Sequence, residues 1–123
     1  FTLEPKKLVL ANTHERIGLC RNVAGWLSNV SGLARLGLNV VGSNLVSPGF
    51  GEDEPTTLTL ELYNFLDKPI KIYSGMRICH LVLFEVLTKS SIGYDELVGT
   101  YSHQSEARSS QYFQEMQEES DDE

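Results

Sequence analysis

Between Thr56 and Phe65 a leucine falls at every second position: Leu58, Leu60 and Leu62 alternate with Thr57, Thr59, Glu61 and Tyr63. Successive side chains of a strand point to opposite faces. A period of two therefore predicts a strand with one leucine face and one polar face. Glu61 falls on the polar face, opposite the leucines. The leucine face must be covered by another layer, which sets the architecture the rest of the chain has to supply.

The rest of the chain reads as further short strands. Extended, β-prone runs occur at Lys7–Ala11, around Arg16–Leu19, and at Asn22–Val30, Gly37–Val41 and Ile70–Tyr73. Turn signals separate them: Asn12-Thr13, Gly42-Ser43-Asn44, Ser47-Pro48-Gly49-Phe50-Gly51, Asp67-Lys68-Pro69 and Ser74-Gly75. Glu52-Asp53-Glu54-Pro55 lengthens one of these loops and keeps it in water. In Met76–Leu87, Ile78, Val82, Phe84 and Val86 share one face with His80; Cys79, Leu81, Leu83 and Leu87 share the other with Glu85. Both faces are mainly apolar, which predicts burial on both sides, by a second sheet or a neighbouring subunit. The one helical piece in the body is Ser31–Leu36, with Ser31 as its N-cap. Short strands at this spacing predict an all-β sandwich or barrel.

Charge and cysteine content narrow the function classes. The net charge of −7 is uneven: residues 115–123 hold six acids and no base, and taking these six charges from −7 leaves −1 on the remainder. The expectation is a β domain over residues 1–100 and a mobile acidic tail over 101–123, with at most a short helix in it. No basic stripe is present, which argues against long nucleic acid but not against a single nucleotide. Cys20 and Cys79 form no CxxC and no zinc-like spacing with histidine, and read as free thiols of a reducing compartment. No apolar run reaches the ~20 residues of a membrane span, and no signal peptide is apparent. The cytoplasm is the expectation, with an organelle left open. The chain starts at Phe1 without a methionine and reads as cut at its front or as part of a larger protein.

Several blocks resemble the family that contains dCTP deaminase and dUTPase. Ser31-Gly32-Leu33-Ala34-Arg35-Leu36-Gly37-Leu38 is similar to the SSLARLGL motif of dCTP deaminases, and its SGLA portion to dUTPase. Pro48-Gly49-Phe50, Leu60-Glu61-Leu62-Tyr63-Asn64 and Pro69–Leu83 follow in the family's order, and Phe1–Leu19 resembles its opening strand pair. The resemblance covers about residues 1 to 90 and is nearest to dCTP deaminase. It implies a dUTPase-like compact β-barrel or sandwich with one short helix, assembled as a homotrimer with active sites between subunits. It also implies a pyrimidine deoxynucleoside triphosphate as ligand, with Mg2+ on its phosphates and no zinc.

Deaminating cytosine requires water to attack C4 as ammonia leaves, and a positioned base must take the water's proton. One known solution is a zinc hydroxide with an HxE…PCxxC signature, which this sequence lacks: His14, His80 and His103 are scattered. The other is a sheltered carboxylate, and Glu61 matches the family's catalytic glutamate. By alternation alone Glu61 is simply an exposed strand residue. Arg35 matches an arginine that orients the water or binds phosphate; a helix-end arginine paired with a surface acid is the plainer reading. Ser31 matches a serine that contacts the phosphates and the catalytic water. Gly32 and Gly37 are expected at a close backbone approach or tight turn, and Gly32 joins the nucleotide-binding set. In the family the chain's end closes over the nucleotide, and Tyr101, Arg108 and Gln111 are the candidates for that here. Arg77 reads as a structural or subunit-contact residue.

The sequence departs from the family pattern in places. Val30 stands where an arginine usually precedes the first serine, and Ser47 where an aspartate usually precedes Pro-Gly. In dUTPases that aspartate activates the water that attacks phosphorus, and the glycine-rich C-terminal phosphate loop is also absent here. The Glu52–Glu54 acids would repel a triphosphate if they faced the site. The N-terminal portion of full-length dCTP deaminases, which packs against the barrel, has no counterpart in this sequence. The expected activity is conversion of dCTP to dUTP and ammonia. A non-catalytic structural or regulatory module is the alternative from a different class, and a dUTP diphosphatase the third.

Overall fold

The computed structural model describes residues 1–89 and Ala107. It contains eight strands and one short helix among these residues: β1 (Thr2–Leu3), β2 (Leu8–Asn12), β3 (Val23–Asn29), α1 (Ser31–Arg35), β4 (Leu38–Val41), β5 (Leu45–Val46), β6 (Thr59–Asn64), β7 (Ile70–Lys71) and β8 (Cys79–Glu85). The all-β class with a single short helix is as expected. Two three-stranded antiparallel sheets, β2-β6-β4 and β5-β3-β8, carry the fold, and β1 pairs with β7 in a small third sheet.

The leucine face of β6 is the centre of the core. Leu58, Leu60 and Leu62 are all but fully buried, and they pack with Leu38 and Val40 of β4 and with Leu27 and Val46 from the other sheet. Each leucine so buried contributes roughly 1.5–3 kcal/mol. Both sheets therefore give one face to a single core, as a sandwich does. The β6 motif ends on Asn64, which is fully buried. Its Nδ2 donates to the Leu3 carbonyl at 3.1 Å and to the Lys68 carbonyl at 2.8 Å, and its Oδ1 accepts from the Leu66 N–H at 2.9 Å. One side chain thus joins the end of β6 to β1 and to the turn that follows.

Three expectations need correction. The run around Arg16–Leu19 does not form a strand; it makes only an isolated bridge, Ile17 with Thr56. Its main-chain groups bond to the 50–56 loop instead, Ile17 N–H to the Thr56 carbonyl at 2.7 Å and Leu19 N–H to the Phe50 carbonyl at 2.8 Å, and a Cβ on Gly18 would lie 2.8 Å from the Gly51 carbonyl oxygen. Ser31 is not the N-cap; that position is Val30, without a side-chain cap bond, and Ser31 is the first helical residue. Gly32 has open space around it and no left-handed backbone, whereas Gly37 has φ +83° with Leu66 Cγ 2.7 Å from where its Cβ would be. The expected cover on both faces of β8 is not supplied by the described residues, which leaves it to a neighbouring subunit. This strand is the edge of its sheet, and Val82, Leu83 and Phe84 are exposed.

The acidic loop is tied back onto the body. Arg21 Nε bonds the Glu52 carboxylate at 2.7 Å, and Arg16 lies 3.7 Å from that of Glu54. Two of the three acids are thus compensated within the chain. Gly51, at φ +63° with the Ile17 carbonyl against it, is where the loop turns. Gly51→Ala should cost more than about 2 kcal/mol through backbone strain and the clash, read as a lower thermal midpoint against a Gly75→Ala control. Gly75 also has positive φ but open space.

Candidate active site

Glu61 lies on the central strand of sheet β2-β6-β4, opposite Leu10 of β2 and Val41 of β4. Strand pairing keeps these three side chains on the same face, away from the leucine core. The alternation that buries the leucines therefore delivers the carboxylate to the outer face. That face is still sheltered at this point: Glu61 is half-buried, and its Oε2 is shielded from solvent with no hydrogen-bond partner. Its carboxyl group rests beside Gly42, the first residue after β4. A buried acceptor left without a partner is costly unless something else satisfies it.

Ser31 and Arg35 are exposed on α1. Among the described residues no hydrogen bond or ion pair joins either of them to Glu61. The helix leads directly into β4 at Leu38, which pairs with Asn64, while Glu61 pairs with Val41, three residues further along. That offset is about 10 Å at the rise of a strand. Within one protomer the described contacts do not join the three predicted catalytic residues. Tyr101, Arg108 and Gln111 lie outside the described residues. Val30 and Ser47 are both half-buried.

A separate cleft of about 890 Å3 opens between the free edges of β2 and β8. Asn12, His14, Arg77 and His80 stand around it and Leu60 and Leu62 form part of its wall; Glu61, Ser31 and Arg35 do not line it. Cys79 also borders it, and burial, followed by the charge of Glu15, pushes its thiol above the usual range. Among the described residues no group of three or more His, Cys, Asp or Glu is placed to hold a metal ion. No helix among them is long and apolar enough to cross a membrane.

Residues 1–86 match the model of a family described as dCTP deaminase-like. The chain belongs to that family. This dCTP deaminase-like chain is 42% identical over 82 residues to the "dCTP deaminase, dUMP-forming" of Persephonella marina, covering 67% of the chain and 43% of the relative. It is 40% identical over 93 residues to the "dCTP deaminase" of Buchnera aphidicola, covering 75% of the chain and 46% of the relative. The chain thus spans less than half the length of these curated relatives. Among solved structures, the 2'-deoxycytidine 5'-triphosphate deaminase of Agrobacterium tumefaciens superposes with a TM-score of 0.65 at 20% identity, over 72% of this chain and 26% of that one. The native dUTPase of EIAV superposes with a TM-score of 0.59 at 20% identity, over 79% and 77%. These superpositions establish the dUTPase-like fold expected from the sequence.

Gly42 did not stand out in the sequence. Gly42-Ser43-Asn44 reads only as the turn that closes a strand, and nothing local marks it as the neighbour of a residue nearly twenty positions away. Asn44 Oδ1, in the same turn, is also buried without a partner.

Proposed function

We propose that this chain is the core of a dCTP deaminase in which Glu61 is the general base. One observation carries the reading: a carboxylate oxygen shielded from solvent and unpartnered, on the motif strand of a dCTP deaminase-like domain. Glu61 takes a proton from water as the oxygen adds to C4 of the cytosine ring. It returns that proton to the departing amine, the C4–N bond breaks and ammonia leaves, and the second proton of the water passes to N3 of the ring as the C4 carbonyl forms. No described contact joins Ser31 or Arg35 to Glu61 within one protomer, and the proposal takes them from a neighbouring copy, where they hold phosphate oxygens and the water. The Arg35 fork suits both roles. Gly32, Tyr101, Arg108 and Gln111 complete the nucleotide contacts. Mg2+ arrives on the triphosphate.

The assembly proposed is a homotrimer. The outer face of sheet β5-β3-β8 exposes Trp26, Leu45, Val82 and Phe84, and the pairing of Trp26 with both Val82 and Leu45 keeps them contiguous. An apolar patch of this kind marks an interface. Trp26→Asp should convert the trimer to a folded monomer that turns over no dCTP; sedimentation and far-UV circular dichroism read the two effects.

The product proposed is dUTP, since Ser47 offers a hydroxyl where a dUTPase-like carboxylate would activate a second water. Val30 and Ser47 together favour the second reading, a non-catalytic module. Incubation with dCTP and Mg2+ followed by chromatography decides between them. A dUTP peak supports the proposal. A dUMP peak would replace dUTP as the product, in line with the names of several relatives. No turnover and no thermal shift that grows with dCTP concentration would leave the non-catalytic module.

A further inference from the structure

We infer that Gly42 is a positioning residue for the Glu61 carboxylate, and that its missing Cβ is what lets the carboxylate settle into its sheltered place. The inference rests on the reading of Glu61 as the base. Gly42 follows Val41, the cross-strand partner of Glu61, so it lies just beyond the ladder position of the carboxylate. A Cβ at residue 42 would sit 3.3 Å from both Cδ and Oε2 of Glu61 and 3.5 Å from its Cγ. The first two are tighter than ordinary packing contacts, and all three fall on one side chain. Leu10 and Val41 flank Glu61 on the two neighbouring strands, so the space over Gly42 is where the carboxylate tip is accommodated. Oε2 is shielded from solvent there and makes no hydrogen bond among the described residues, so packing rather than a bond confines it. A methyl group at this position makes the carboxylate give way by a few tenths of an ångström, and a base moved off its productive geometry loses rate steeply.

Gly42 also has φ +81°, so a glycine is favoured there for its backbone alone. The test must separate the two roles. D-Alanine adopts positive φ without strain and points its methyl group away from the L-Cβ position. Cys20 and Cys79 offer ligation junctions for a synthetic segment that carries it. The wild-type chain, Gly42→Ala and the D-alanine form would be labelled with a carbodiimide and glycine ethyl ester, and the modified peptides quantified by mass spectrometry, with exposed Glu85 as internal control. Glu61 should be protected in the wild type and in the D-alanine form, and labelled several-fold faster in Gly42→Ala. With dCTP, Gly42→Ala should lose about a hundredfold in kcat at unchanged KM, and the D-alanine form should keep most of its rate. If Gly42→Ala does not fold, Gly42→Asn replaces it, because asparagine tolerates positive φ. Equal protection of Glu61 in wild type and L-variant, or equal exposure in the D- and L-forms, would overturn the inference. A wild type that is protected but inert toward dCTP would instead remove the proposed function and leave the positioning role standing.

Discussion

Glu61→Gln is expected to lower kcat for dCTP deamination by about a thousandfold, the range typical for loss of a general base, with little effect on folding. Glutamine has the same length and branching, so the contacts with Leu10, Val41 and Gly42 survive. What it loses is the ability to accept and return a proton. The stability change should be within about 1 kcal/mol, because the orphaned Oε2 takes part in no bond that could be broken. Initial rates at saturating dCTP, with ammonia and nucleotide both quantified, and a thermal midpoint on the same samples would test this. Retention of more than a tenth of the wild-type rate would show that another group takes the proton. A comparable fall in KM would point instead to relief of an unfavourable contact in the bound state.

Asn64→Ala is expected to destabilise the domain by about 3 kcal/mol or more. Asn64 is fully buried and makes three hydrogen bonds to main-chain groups on both of its flanks. Alanine would strand the Leu3 and Lys68 carbonyls and the Leu66 N–H, and it would leave a small void at the end of β6. Both effects act on the junction that holds β1 and the 66–68 turn against the main sheet. Asn64→Asp should be nearly as severe, because an ionised carboxylate cannot donate to the two carbonyls. Denaturant unfolding monitored by Trp26 fluorescence would give the difference, with the slope unchanged if only the native state is affected. A loss below about 1 kcal/mol would show that water replaces the side chain. On the proposed function this separates two neighbouring motif residues, Glu61 serving the chemistry and Asn64 the fold.

Much of the fold was legible because it depends on local periodicity. The Leu58–Leu60–Leu62 alternation located β6 and its buried face, and it placed Glu61 on the opposite one. The extended runs near β2, β3, β4 and β7 were found for the same reason. The run at Arg16–Leu19 misled because its pattern suits a strand while its backbone is committed to Gly51 and Thr56, contacts more than thirty residues away. Ser31 misled because the residue type suits a cap, and only the backbone shows that the helix begins one residue earlier. The apolar character of β8 was read correctly, but the sequence cannot say whether a strand is covered by its own chain.

The candidate site divides along the same line. The order and identity of Ser31, Arg35 and Glu61 are properties of the sequence, since the motif blocks that hold them are short and contiguous. What surrounds Glu61 is a property of the tertiary structure: the antiparallel register of β4 on β6 sets Leu38 opposite Asn64 and Val41 opposite Glu61. Register is fixed by which face each strand must bury, a condition summed over the whole core rather than written in any one segment. The contact of Gly42 with Glu61 arises in the same way. Periodicity decides which side of a strand a residue takes, whereas the pairing of strands distant in the chain decides what it meets there.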